Sequence, residues 1–294
     1  KLRRWRLPIR PMKPDPAIRV QKLRIPTPHG SIPALLLSPK RAPVNATGVL
    51  WLHGGGYIVG MKEMIHMSRA VDLVKKYGAV VLSPGYRLAL QAPYPAAIDD
   101  CYASLLYLKA NAAALGVRSD QLMVGGESAG GGLCAAVCIR ARDEGTVNVA
   151  FQMPLYPMLD DRDTETSRSN HGRVWNTGRN HLAWRLYLRR ADRAHLSPYA
   201  APARLADFSG LPPAYAFVGD GEPFYAETIN YFEHLRDAGI PAELDVYHTD
   251  MHAFDIMQPD SALAVRAAEA FNHQFELAQK QYFAPQPGNG RNSN

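Results

Sequence analysis

A chain of 294 residues, 47% hydrophobic and 20% charged, suits one large α/β domain or two small ones, with ample length for a core. The net charge of +6 comes partly from Lys1, Arg3, Arg4, Arg6 and Arg10; the other basic residues are scattered and no nucleic-acid motif appears, so no nucleic-acid partner is expected. No run of eighteen apolar residues exists and no secretory signal is visible, which excludes a membrane-spanning helix and points to no stable membrane insertion.

Residues 1–17 read as an N-terminal cap segment ahead of the first core element. Ile18–Pro26 and Ile32–Ser38 alternate apolar and polar around His29-Gly30 and predict a strand pair joined by a turn. Gly48–Leu52 is a continuous apolar run, fit for a strand buried on both faces, and it ends in His53-Gly54-Gly55-Gly56-Tyr57. A helix over Ser68–Tyr77 and a buried strand over Ala79–Ser83 follow. The alternation continues with a helix (Ala96–Asn111), a strand (Gln121–Val124), a helix (Gly131–Arg142) and a strand (Val149–Pro154). It resumes with a strand (Ala214–Val218), a helix (Ala226–Ala238), a strand (Ala242–Tyr247) and a helix (Ala262–Leu277). This order predicts a mostly parallel sheet of about eight strands with helices on both faces.

Residues 159–196 break the alternation. Their polar start and the helical spacing of Trp184, Tyr187 and Leu188 predict an inserted helical cap between core segments 18–158 and 197–280. Under such a lid, Tyr57, Trp175, Trp184 and Tyr187 are candidates to wall an apolar pocket, against the simpler role of core packing. Residues 281–294, rich in Pro, Gly and Asn, read as a flexible tail. Cys101, Cys134 and Cys138 make a poor disulfide framework and form no metal motif. A reduced, cytoplasmic, metal-free and cofactor-free protein is the expectation.

The chemistry concentrates on Gly126-Glu127-Ser128-Ala129-Gly130, a G-x-S-x-G pentapeptide between an apolar strand and a run of small residues. Strand, tight turn and helix make it a nucleophile elbow with Ser128 exposed at the helix N-terminus. The glycines after His53 free backbone N–H groups to face a developing oxyanion. Ser128 needs a base to accept its proton. Among ten histidines, His252 follows the last strand and can reach the same sheet edge, with His248 as runner-up. The base needs a carboxylate, and the loop Gly219–Pro223 offers Asp220 and Glu222.

With His53-Gly54-Gly55-Gly56, Tyr86-Arg87-Leu88-Ala89, Tyr94-Pro95-Ala96-Ala97, the elbow and the His252 loop together, the chain resembles the hormone-sensitive-lipase-like family of α/β-hydrolases, the bacterial type IV esterases. The resemblance covers residues 18–277. It implies the α/β-hydrolase fold, Ser128 as nucleophile, His252 as base and an oxyanion hole from the N–H groups of Gly55, Gly56 and Ala129. Glu222-Pro223 stands where the family commonly has Asp, which favours Glu222 as the acid and keeps Asp220 as the alternative. Ala253 replaces the glycine usual after the base, with little consequence expected, and Leu90-Gln91 replaces Pro-Glu, so a local salt bridge or turn is expected to be missing.

The activity implied is carboxylester hydrolysis on small-molecule esters with short-to-medium acyl chains. The same machinery would serve an amide or lactone hydrolase, and the family also resembles plant gibberellin receptors, which keep the pocket and lose the histidine. A homodimer through the Ala242–Tyr247 edge strand is compatible with the pattern.

Overall fold

The structure, a computed structural model, describes residues 14–288; most of the expected N-terminal cap segment, residues 1–13, and the end of the expected tail, 289–294, lie outside the described residues. An eight-stranded sheet runs in the order β1-β2-β4-β3-β5-β6-β7-β8, with β1 (Ile18–Thr27), β2 (Gly30–Pro39), β3 (Ala46–Leu52), β4 (Val80–Pro84), β5 (Val117–Glu127), β6 (Phe151–Leu155), β7 (Ala214–Gly219) and β8 (Ala242–Tyr247). β2 is antiparallel to both β1 and β4, and every pair from β4 to β8 is parallel. The continuous apolar runs take the centre: β4, β6 and β7 are buried at every residue, whereas β1 and β8 at the edges are mostly half-buried or exposed.

Helices cover both faces: α1 (Ala70–Tyr77), α2 (Ala96–Ala110), α3 (Ala129–Glu144), α4 (Thr177–Tyr187), α5 (Tyr225–Asp237), the single turn α6 (Phe254–Met257) and α7 (Ala262–Gln281). Leu50 and Leu52 of β3 point to one face, packed with α2, α3 and α4; Val49 and Trp51 point to the other, with α1 and α7. α3 is buried along nearly its whole length because its residues are small, Cys134 and Cys138 among them. No described helix is long and apolar enough to cross a membrane.

The 159–196 insertion contains one α-helix, α4, whose N-cap Asn176 accepts the Arg179 N–H at 3.1 Å. The insertion is tied down at its base. The buried Glu227 of α5 accepts the Leu159 N–H at 2.6 Å, and Asp161 pairs with Arg204 at 2.6 Å. Trp184 and Tyr187 share a core cluster with Leu105 and Cys101 of α2. Of the expected tail, residues 282–286 lie against the core: Tyr282 stacks on Phe151, the Ala284 N–H donates to the Asp120 carbonyl at 2.7 Å, and Gln286 accepts the Asn148 N–H at 3.0 Å. The turn expected to be missing at Leu90-Gln91 is present, because the Gln91 side chain accepts the Leu88 N–H at 3.1 Å. Arg87 finds its salt bridge instead on Asp100 of α2, at 2.8 Å.

Candidate active site

Five parallel strands, β3, β5, β6, β7 and β8, deliver their carboxyl ends to one edge, where α/β sheets build their sites. β5 runs directly into Ser128 and then α3. Ser128 adopts φ 57° and ψ −118°, a region that L side chains rarely enter. Hydrogen bonds hold it there: its N–H donates to the Leu155 carbonyl at 3.0 Å, and its carbonyl accepts from Gly132 at 2.9 Å and Met158 at 3.0 Å. A side chain at Gly126 or Gly130 would collide with the Leu52 carbonyl, which explains the small residues flanking the serine.

His252 arrives on the loop after β8. Its Nε2 lies 2.8 Å from Ser128 Oγ, and its Nδ1 is hydrogen-bonded to Glu222 Oε2. Glu222, in the loop after β7, is fully buried, and its other oxygen accepts the Gly219 N–H at 3.1 Å. Edge-on contacts from Tyr156 (5.1 Å, 79°) and Phe224 (5.0 Å, 85°) fix the imidazole plane. Ala253, next in the chain, sits in the left-handed region at φ 56°, where the glycine expected from family resemblance would be unstrained. The substitution therefore does have a consequence: about 1–2 kcal/mol of local backbone strain on an L residue.

The alternative residues come from the same two loops and meet elsewhere. Asp220 Oδ2 bonds His248 Nδ1 at 2.8 Å, on the protein surface, and Asp220 Oδ1 accepts the Thr249 N–H at 3.1 Å.

His53 stacks on Tyr86 (4.2 Å, 12°), bonds the Gly54 carbonyl through Nδ1 at 2.8 Å, and burial pushes its pKa down to about 4. Burial thus favours its neutral form, and it shapes the loop that follows. Gly55 and Gly56 have φ of 120° and 59°, and the Gly55 carbonyl accepts from Ile58 at 3.1 Å and Val59 at 3.0 Å. Trp175 from the insertion lies so close over Gly56 that any side chain there would strike its ring. Tyr57 donates to the Met158 carbonyl at 3.1 Å and stacks on Tyr187 (4.1 Å, 13°), with Trp184 5.5 Å away. Of the four aromatic pocket candidates, Trp175 touches the glycine loop directly; Trp184 and Tyr187 pack behind Tyr57. Among the described residues, no cluster of three or more His, Cys, Asp or Glu could hold a metal ion.

Tyr156 and Phe224 went unread in the sequence. Both had a signal, as aromatic residues one and five positions past strand ends at the edge that carries Ser128.

Comparison with known proteins places the chain in a family. A family model described as α/β-hydrolase fold matches residues 49–256. The chain is 31% identical over 252 residues to esterase LipI of Mycobacterium tuberculosis, covering 84% of this chain and 78% of that protein. It is 33% identical over 231 residues to carboxylesterase NlhH of the same organism, covering 76% and 71%. Among solved structures, a bacterial heroin esterase superposes with a TM-score of 0.85 at 31% identity, covering 90% of this chain and 85% of that one. The chain belongs to the α/β-hydrolase fold family, in its hormone-sensitive-lipase-like group.

Proposed function

We propose that this carboxylic ester hydrolase works through a Ser128–His252–Glu222 triad and an acyl-enzyme intermediate, on esters with short-to-medium acyl chains. The observation that carries the reading is the continuous buried chain from Glu222 through both nitrogens of His252 to Ser128 Oγ. Ser128 Oγ attacks the ester carbonyl carbon and its proton passes to His252 Nε2. The N–H groups of Gly55, Gly56 and Ala129 stabilise the oxyanion; Ala129 begins α3, so its N–H has no acceptor within the helix. The carbon–oxygen bond to the alcohol then breaks as His252 returns the proton to the leaving oxygen. A water attacks the acyl-enzyme, giving its proton to His252, and the acid departs as Ser128 regains that proton. Glu222 keeps the Nδ1–H tautomer and balances the imidazolium.

The pocket is bounded by Trp175 and Tyr57, with Trp184 and Tyr187 as backing. Support for the shorter chains is the insertion's close seat on the glycine loop, with Thr166 and Asn170 bonded to the Pro223 and Gly221 carbonyls at 2.9 and 3.1 Å. The test is hydrolysis of p-nitrophenyl esters from acetyl to palmitoyl, with Ser128→Ala alongside. Activity peaking between acetyl and hexanoyl, and reduced on the order of 10⁶-fold in Ser128→Ala, is expected. A peak at long chains would refute the pocket, and an active Ser128→Ala would refute the triad.

A further inference from the structure

The proposed mechanism leaves unused a buried polar group immediately behind the serine and histidine. Glu127, the residue before Ser128, accepts the Trp51 indole N–H at 2.9 Å. Tyr156, whose ring edge meets His252, donates its hydroxyl to Asp255 Oδ1 at 2.9 Å. Asp255 is fully buried on α6, three residues after His252 in the chain. Its Oδ2 stands 3.4 Å from Nε of Arg69, the residue that precedes α1. Both of those atoms are buried without a hydrogen-bond partner, so the ion pair is Coulombic and undirected. A closed circuit results: His252 ring, Tyr156 ring, Asp255, and the backbone back to His252.

With Glu127 and Arg69 beside it, the cluster contains two buried carboxyl groups and one guanidinium. Burial, and then the charge of Asp255, push the Glu127 pKa up to about 8, while the Trp51 bond and Arg69 pull the other way. Burial also raises Asp255, opposed by Arg69 and the Tyr156 bond. The other titratable groups facing the cluster are Tyr156 and Tyr86, both pushed up by burial and therefore uncharged, His252 against the Tyr156 ring, Glu222, whose charge adds to the rise of Tyr156, and Asp72, which lies 3.7 Å from Arg69.

We propose that Tyr156 and Asp255 are positioning residues for His252, and that Glu127, in the same buried cluster, decides how firmly Arg69 is committed to Asp255. An ionised Glu127 competes for the one guanidinium. Asp255 then loses its partner, Tyr156 loses its anchor, and His252 loses the edge contact that aims Nε2 at Ser128. The inference rests on His252 acting as the base on Ser128.

The experiment is a set of kcat and KM profiles between pH 6 and pH 10, with spontaneous hydrolysis subtracted, for wild type, Glu127→Gln and Tyr156→Phe. Wild-type kcat is expected to fall about tenfold across pH 8, while kcat of Glu127→Gln, normalised to its own value at pH 7, stays within about twofold. Tyr156→Phe is expected to lower kcat by about tenfold with KM changed less than about twofold. Thermal melting supplies a readout independent of turnover. The folded chain holds a proton on Glu127 that the unfolded chain releases near 4.5, so stability falls as pH rises from 4.5 to about 8. Glu127→Gln removes that dependence, and its gain in Tm over wild type grows through this window and then levels off.

An alkaline limb identical in wild type and Glu127→Gln, or a pH-independent Tm difference, overturns the role of Glu127. An unchanged kcat in Tyr156→Phe overturns the positioning role, and decides it even if Glu127→Gln does not fold. Activity surviving in His252→Ala would overturn the triad itself, a separate failure.

Discussion

Two histidine–carboxylate pairs are built from the same two loops, four residues apart on one and two on the other, and they live in different solvents. The His252 and Glu222 side chains are 4% and 0% exposed; those of His248 and Asp220 are 100% and 37% exposed. Tyr156 and Phe224 keep water from the first pair, and a backbone N–H satisfies the second oxygen of its carboxylate. In that setting the electrostatic interaction is little screened by solvent. The second pair competes with water and salt at every moment, and such pairs contribute little. A histidine beside an acid is thus not enough for a catalytic base; the surroundings decide whether the pair can direct a proton.

The sharpest break between the pairs is kinetic. Glu222→Gln is expected to lower kcat on the order of 10⁴-fold and His252→Ala by more, whereas Asp220→Asn and His248→Ala are expected to change it less than about twofold. Loss of activity in Asp220→Asn with Glu222→Gln intact would exchange the two roles.

The aromatic residues of the insertion divide along the same line, between burial behind the site and contact with it. Trp184→Ala removes a buried ring from the cluster around Tyr57 and Tyr187, and is expected to destabilise by ~3–5 kcal/mol while leaving acyl-chain preference in place. Trp175→Ala opens space over Gly56 and is expected to shift preference toward longer acyl chains. Chain-length series and melting curves on both variants check the division. A changed preference in Trp184→Ala, with stability retained, would put that ring in the pocket.

Much of this was legible in advance for a physical reason. Buried parallel strands need continuous apolar runs, so Gly48–Leu52 and Ala79–Ser83 announced themselves, and the elbow and glycine loop demand small residues that few other structures require. Residue types alone left Asp220 and Glu222 both open, and only the family resemblance favoured Glu222, because which side of a short loop faces inward depends on packing against residues such as Tyr156, far away in the chain. The spacing of Trp184 and Tyr187 announced a helix but not which neighbour its face would meet. Little consequence was expected of Ala253; its cost lies in a backbone angle that residue type does not reveal. Glu127 and Asp255 stayed silent because a lone acidic residue reads as solvated until its burial is known.

The smallest effect is the one at the exposed pair, and its pH dependence has a definite sign. The hydrogen bond that His248 donates to Asp220, and then the charge of Asp220, raise the His248 pKa above 6.5; the same bond, with the Thr249 N–H, lowers Asp220 below 3.8. The histidine's share of stability is present below 6.5 and lost as pH rises through its raised value. The carboxylate's share is present above 3.8 and lost as pH falls through its lowered value. The pair therefore contributes most between 3.8 and 6.5, in mildly acidic solution, and less on either side. NMR titration of His248 is expected to give a pKa above 6.5 in wild type and a return toward 6.5 in Asp220→Asn. Raising the salt should shrink the shift without touching turnover at His252. A His248 titration that ignored both salt and Asp220→Asn would mean that the outer pair is held by something other than its own charges, and the contrast with the buried pair would lose its physical basis.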